Sequence, residues 1–199
     1  GSWRGDSLWQ SDAIALDEPD EIIISTSSEG GGVEVAFQFG DKSGWSDWID
    51  GWRWRTDGSR LPALSNGWAE RQVDIISLKR PITRFRARIE QTSLKSLIIT
   101  AIKAQSPDFD AASDEPIAAL DRETPFRSQM DVDGEIAPRI CGPTCLAMVL
   151  DAFGVACDTV DVAADCYDSE ADIYGNWSRI AAVAGENGVW GWVLRTEGL

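Results

Sequence analysis

The chain has 199 residues and a formal net charge of −15, with 18 Lys and Arg against 33 Asp and Glu and no histidine. A hydrophobic fraction of 43% and a charged fraction of 26% describe an ordinary globular chain with room for one or two domains, and no apolar run approaches the ~20 residues that cross a bilayer. So acidic a surface repels phosphate, which argues against nucleic acid and anionic membrane and for cationic or neutral peptide and sugar ligands. The acid is concentrated late: residues 1–104 carry 13 basic and 15 acidic groups, residues 105–199 carry 5 and 18. Without histidine the chain offers neither an imidazole base nor a His metal ligand.

Residues 20–104 read as short strands. Glu21–Ser25 is an apolar run closed by Glu29-Gly-Gly-Gly32. Val33, Val35, Phe37 and Phe39 then alternate with Glu34, Ala36 and Gln38, the period of a half-buried strand. Gly40–Gly44 turns the chain into Trp45–Trp54. Arg71–Ser77, Thr83–Glu90 and Ser96–Lys103 complete the set, with Phe85, Ala87 and Ile89 on one face and Arg84, Arg86 and Arg88 on the other. This spacing, with Gly, Asp, Asn and Pro turns, predicts an antiparallel β-sandwich over residues 1–104.

Seven of the ten tryptophans lie in this part, at positions 3, 9, 45, 48, 52, 54 and 68. Two readings stand. In one, Trp45 and Trp48 fill the core while others cover an edge or dock the next domain. In the other, tryptophans stack on the apolar face of a sugar, and Trp52 and Trp54, on one face of an extended segment and flanking Arg53, are the ligand-binding pair.

Residues 105–124 collect Pro, Ser and acidic residues without strand character and read as a linker. Pro125–Met130 then reads as extended and sets Gln129 twelve residues before Cys141; a glutamine amide beside a nucleophilic cysteine can donate to the oxyanion of a tetrahedral intermediate. The alternating carboxylates of Asp131-Val-Asp133-Gly-Glu135 lack the further ligands of an EF-hand and read as a solvated turn.

Leu146, Val149, Leu150 and Phe153 then fall at i, i+3, i+4 and i+7, the stripe of a short helix that Gly154 stops. Cys141-Gly142-Pro143-Thr144 therefore opens that helix, where free N–H groups and the positive end of the macrodipole favour thiolate over thiol. Pro143 suits the first turn, and Gly142 lets a reactant approach the backbone. The competing reading is a buried cysteine of the core. Asp158 or Thr159 caps a second helix through Ala164. Asn176 caps a third that carries Ile180, Val183 and Ala184, and Val189–Leu194 reads as a strand. Cys141 and Cys145 are one turn apart and Cys157 and Cys166 are separated by eight residues, so neither a disulfide within the helix nor a four-cysteine zinc site fits well. No metal or other cofactor is expected.

Gln129, Cys141-Gly-Pro-Thr144, the Ala164 to Asp168 stretch, Gly175-Asn176-Trp177 and the earlier Gly44-Trp-Ser-Asp-Trp48 together resemble the bacterial papain-type cysteine peptidases related to the bacteriocin-leader-processing peptidases, family thirty-nine of the cysteine class. The resemblance implies an α+β chain, with a β-sandwich over 1–104 and the helical part of a papain-like domain over 125–199. It implies hydrolysis of peptide bonds through a thioester on Cys141, an oxyanion hole from Gln129 and the Cys141 N–H, and substrate contacts at Gly142, Asn176 and Trp177. A peptide or protein substrate and a secreted or cell-envelope location follow by analogy. The pattern also calls for a Gly-His and an Asn or Asp further on, and neither is present, so we expect a piece of a longer enzyme, inactive alone, with apolar surface uncovered on the Cys141 helix and a tendency to dimerise. The alternative is a Trp-rich module binding glycan or cell-wall polymer, followed by an inert peptidase-like segment.

Overall fold

The computed structural model describes residues 2–3, 8–29, 32–54, 61, 64–90, 94–103, 123–132 and 134–194. Among the described residues twelve strands precede three α-helices: β1 (Ser2–Trp3), β2 (Leu8–Gln10), β3 (Ile14–Ala15), β4 (Glu21–Ser28), β5 (Val33–Asp41), β6 (Gly44–Trp45), β7 (Ile49–Trp54), β8 (Leu64–Ser65), β9 (Ala69–Arg71), β10 (Ile75–Leu78), β11 (Arg84–Glu90) and β12 (Leu94–Ile102), then α1 (Cys141–Ala152), α2 (Thr159–Cys166) and α3 (Trp177–Glu186). The class is α+β. One antiparallel sheet runs β1-β2-β11-β5-β6, with β3 also on β11 and β7 also on β5; the other runs β12-β4-β10-β9-β8. The expected linker, 105–124, falls outside the described residues except for 123 and 124.

The alternation in β5 and β11 sets which side of the first sheet is inside. Val33, Val35, Phe37 and Phe39 are all buried, as are Phe85, Ala87 and Ile89, and they share one cluster with Ile22 and Ile24 of β4 in the facing sheet. Arg84, Arg86 and Arg88 stand on the outer side, where their guanidinium groups stack on Trp45 and Trp48 at 4.6–5.6 Å from the ring centroids.

The two tryptophan pairs thus exchange the roles expected of them. Trp45 and Trp48 are outside, interleaved with arginines. Trp52 and Trp54 are buried, 5% and 2% exposed, and cannot stack on a ligand. The physical reason is a register shift between Val35 and Ala36 in the β5–β7 pairing: Val35 faces Trp52 and Ala36 faces Asp50, so Gly51 is the extra residue of a bulge. One added residue lets both Ile49 and Trp52 point inward.

Strand β4 continues three residues past the expected Ser25 and is buried on both faces. Ile22, Ile24 and Thr26 face the first sheet, where the Trp52 indole N–H donates to Thr26 Oγ1 at 3.2 Å. Ser25 and Ser27 face the helices. α3 lies against β4 so closely that a Cβ on Gly185 would stand 2.8 Å from the Cα of Ser27. The crossing is tied by Glu186, whose Oε1 accepts from Ser28 Oγ at 2.7 Å and from the Trp54 indole at 3.1 Å, while the Arg179 guanidinium covers the Trp54 ring at 4.6 Å. The hydrophobic cluster runs unbroken from the sheets into α1, α2 and α3.

The helix boundaries follow their caps. The Asp158 carboxylate accepts from Val160 N and Asp161 N, and Asn176 Oδ1 accepts from Arg179 N. Gly154 and Gly188 end α1 and α3 at φ +81° and +76°, the left-handed conformation glycine adopts without strain. The expected strand at 189–194 is not paired in a sheet: no described strand lies beside it, and Val193 bonds instead to the hydroxyls of Ser25 and Thr100.

Candidate active site at the start of the first helix

Cys141 is the first residue of α1 and is exposed. Its helix is held from below by Leu146, Ala147 and Leu150, all buried, and from behind by Ile140, fully buried. No side chain caps α1; Thr144 turns both its N–H and its hydroxyl to Ile140 O, at 2.9 and 2.8 Å. The N–H groups of Cys141 and Gly142 consequently have no partner among the described residues, and Pro143 has none to offer. Two donors beside an exposed sulfur are suited to an oxyanion.

Gln129 reaches the same neighbourhood by a different backbone from the one expected. Residues 129–131 form a 3-10 turn, not an extended strand, with Ser128 Oγ accepting from Met130 N. The Gln129 amide donates to Ala137 O at 2.8 Å, fastening the turn to Ala137–Arg139, the 3-10 turn that leads into Cys141. One hydrogen of that amide is thereby used. The other has no described partner.

Gly142 serves packing more than access. The position of a Cβ there would be 2.8 Å from Ile180 Cδ1, so the glycine brings α1 against α3. Asn176 is a correction: it is fully buried, caps α3, and donates from Nδ2 to Asp168 Oδ2 at 3.0 Å, so it cannot meet a substrate. Asp168, also fully buried, accepts from Glu170 N and Ala171 N through its other oxygen. The Tyr-Asp and Gly-Asn elements of the motif are therefore one buried polar pair that shapes the loop between α2 and α3. Trp177, one residue on, is half exposed and does face solvent.

Two further elements escaped the sequence reading. Arg127 binds three segments at once: Nε and Nη2 donate to Asp151 Oδ2 at 2.9 and 2.6 Å, Nη1 to Thr159 Oγ1 at 2.8 Å, and Nη2 to Cys157 O at 2.8 Å. It ties the strap carrying Gln129 to α1 and α2. Arg139, two residues before Cys141, pairs with Asp172 at 2.8 Å and lies 5.4 Å from the Tyr174 ring centroid, and Tyr167 OH donates to Asp172 Oδ1 at 2.8 Å. Hydrogen bonds from Arg139 and then Tyr167 hold the Asp172 carboxyl below the usual carboxylate range. Their sequence signal was weak, since each contact spans a turn or loop.

The four cysteines separate by environment. All are free, with Cys141 and Cys145 exposed, Cys157 half-buried and Cys166 buried. Burial pushes the Cys166 thiol up to about 12 and also raises Cys157. Among the described residues no group of three or more His, Cys, Asp or Glu could hold a metal ion.

Cys141 thus stands exposed at the start of α1, beside two unclaimed N–H donors and just after the 3-10 turn to which Gln129 is fastened. Residues 122–189, 68 of the 199, match the family described as Peptidase_C39 like family. The match supports a C39-like peptidase relationship for that segment, which contains Cys141, Gln129 and the whole of α1, α2 and α3. No curated protein and no solved structure matches the chain.

Proposed function

We propose that residues 125–194 are the nucleophile-bearing part of a cysteine peptidase acting on peptide or protein substrates. Cys141 Sγ attacks the scissile carbonyl, and the Cys141 and Gly142 N–H groups with the Gln129 amide receive the oxyanion. The S–C bond forms first to give the tetrahedral oxyanion, whose collapse breaks the C–N bond and leaves a thioester on Cys141; the amine departs with a proton, and water then cleaves the thioester to a carboxylic acid and the free thiol. The single observation that carries this reading is the exposed Cys141 at an uncapped helix start within the segment that matches the peptidase family.

Expelling an amine requires that it take a proton, and papain-type chemistry supplies that proton from imidazole. These 199 residues contain no histidine. An activated ester escapes the requirement, because p-nitrophenolate leaves without a proton. The 199-residue chain is therefore expected to release about one equivalent of p-nitrophenol from p-nitrophenyl acetate in a burst, with the acetyl group on Cys141 by mass spectrometry, and to leave peptide amides uncleaved. Acetylation shared evenly between Cys141 and Cys145, or a burst that survives Cys141→Ala, would contradict the assignment.

A further inference from the structure

The two sheets part where β12 faces β2, β3 and β11. Between them lies a cleft of ≈ 610 Å³, within the range of roughly 300–1,000 Å³ that small-molecule sites occupy. Its floor is the inward row of β11, Phe85, Ala87 and Ile89, all buried. One wall is Trp9 and Ile14, which pair with Ile89 and Phe85 and so share their face; the other is Leu97 and Ile99 of β12. These wall residues are half-buried or, at Ile14, exposed. Elsewhere the facing rows close on each other, as Val35 and Phe37 do on Ile22 and Ile24 in one buried cluster.

Two irregularities bring polar groups into this apolar slot. In the β4–β12 pairing Leu94 faces Ser28 and Ser96 faces Ser27, so Lys95 is the extra residue of a bulge, a device that re-aims a side chain. Lys95 lines the cleft. Its ammonium pairs with Glu29 Oε2 at 3.0 Å, and both partners are exposed, so water screens the pair. The second irregularity lies between β2 and β3. There Ser11 N donates to Ala87 O at 2.9 Å, and Ser11 Oγ, in the place of a backbone carbonyl, accepts from Ala87 N at 2.9 Å. Ser11 is 7% exposed and lines the cleft, and its hydroxyl hydrogen has no acceptor among the described residues.

The lining defines the ligand. Phe85 to Ile89 spans about 14 Å of strand, and a long slot with apolar walls on both sides suits an unbranched hydrocarbon chain. Among the described residues Lys95 is the one charged group of the lining, and no carboxylate lines it. An ammonium and a buried hydroxyl hydrogen both donate, so the polar end of the ligand is an acceptor, and Lys95 favours one with negative charge. We infer that the cleft binds a free fatty acid, its hydrocarbon chain between the sheets and its carboxylate on Lys95 in exchange for Glu29. This inference stands apart from the chemistry of Cys141, since its site lies in the two-sheet body and its test reads binding.

The probe is dodecanoate, titrated by calorimetry into the 199-residue chain below the concentration at which it forms micelles. One saturable site per chain is expected. Lys95→Glu should weaken dodecanoate at least roughly tenfold and leave the affinity for dodecanol, which has the same tail and no charge, as it is in the parent. Leu97→Trp, in a variant whose circular dichroism matches the parent, fills the slot and should weaken both ligands at least roughly tenfold. Dodecanoate affinity unchanged by Lys95→Glu, or equal loss of acid and alcohol in that variant, overturns the inference. So does the absence of a saturable site, the result expected where another part of the chain or a second copy closes the cleft.

Discussion

The same residue type is handled in opposite ways at the two ends of the molecule. In the two-sheet body Trp52 and Trp54 are closed in, each indole N–H has a partner, and one of those partners, Glu186, belongs to α3. In the helical part Trp177, Trp190 and Trp192 lie half exposed or more along a groove. The sheets cover each other and α3 covers β4, so most of the body's large apolar side chains are closed in, apart from a cleft of ≈ 610 Å³ lined by Trp9, Ile14, Leu16, Phe85 and Leu97. α1 and α3 are covered on one side, where Leu150, Ala182 and Val183 pack, and left open on the other. Closed surface reads as framework and open surface as contact, and Cys141 stands where the open face of α1 begins.

Substitutions that break the closed half should cost the most. Trp54→Ala removes a buried indole, its bond to Glu186 and the ring beneath Arg179, and should lower unfolding free energy by about 4 kcal/mol in chemical denaturation. Gly185→Val sets a side chain into the backbone of Ser27 and should cost about 3 kcal/mol, seen as a lower thermal midpoint together with exposure of Trp54 fluorescence. Arg127→Ala leaves the half-buried Asp151 carboxylate without its partner and should cost about 2 kcal/mol.

Alkali probes the same closed interior. The Cys166 thiol, raised to about 12 by burial, stays protonated in the folded chain after its unfolded counterpart begins to ionise near the ordinary thiol value of 9.0. Its contribution to stability is complete below that value and falls by about 1.4 kcal/mol per pH unit as pH rises toward 12; Cys166→Ala should remove this slope. The smallest effect belongs to the open half: Trp190→Ser should change stability by no more than about 0.5 kcal/mol, although it strips an aromatic ring. A large loss there would mean that the groove is framework after all.

Much of the framework was legible in local pattern. The alternation at Val33–Phe39 and Arg84–Ile89 predicted both strands and their inward faces, and Asp158, Asn176 and Gly154 marked helix ends through side-chain and backbone preferences that need no distant partner. What failed was decided at a distance. A single extra residue at Gly51 reversed the expected parity and moved Trp52 and Trp54 from ligand pair to core. The strand read as ending at Ser25 runs on through Ser28, and Ser25, Ser27 and Ser28 are buried because small hydroxyl side chains admit α3 and Val193, with Ser28 bonded to Glu186 and Ser25 to Val193. At the candidate site Cys141 and Gln129 were readable as residue types, whereas the burial of Asn176 with Asp168 and the span of Arg127 depended on contacts across loops.

The central claim is that Cys141 is the reactive group of the helical segment. Cys145, one turn along α1 and also exposed, is its internal control. The direct measurement is competitive alkylation of the 199-residue chain by limiting iodoacetamide at neutral pH, with each cysteine followed by peptide mass spectrometry. Cys141 should react roughly tenfold faster than Cys145, with Cys157 slower and Cys166 protected until the chain unfolds. Equal rates at Cys141 and Cys145 would contradict the account and leave the helix start an ordinary exposed turn.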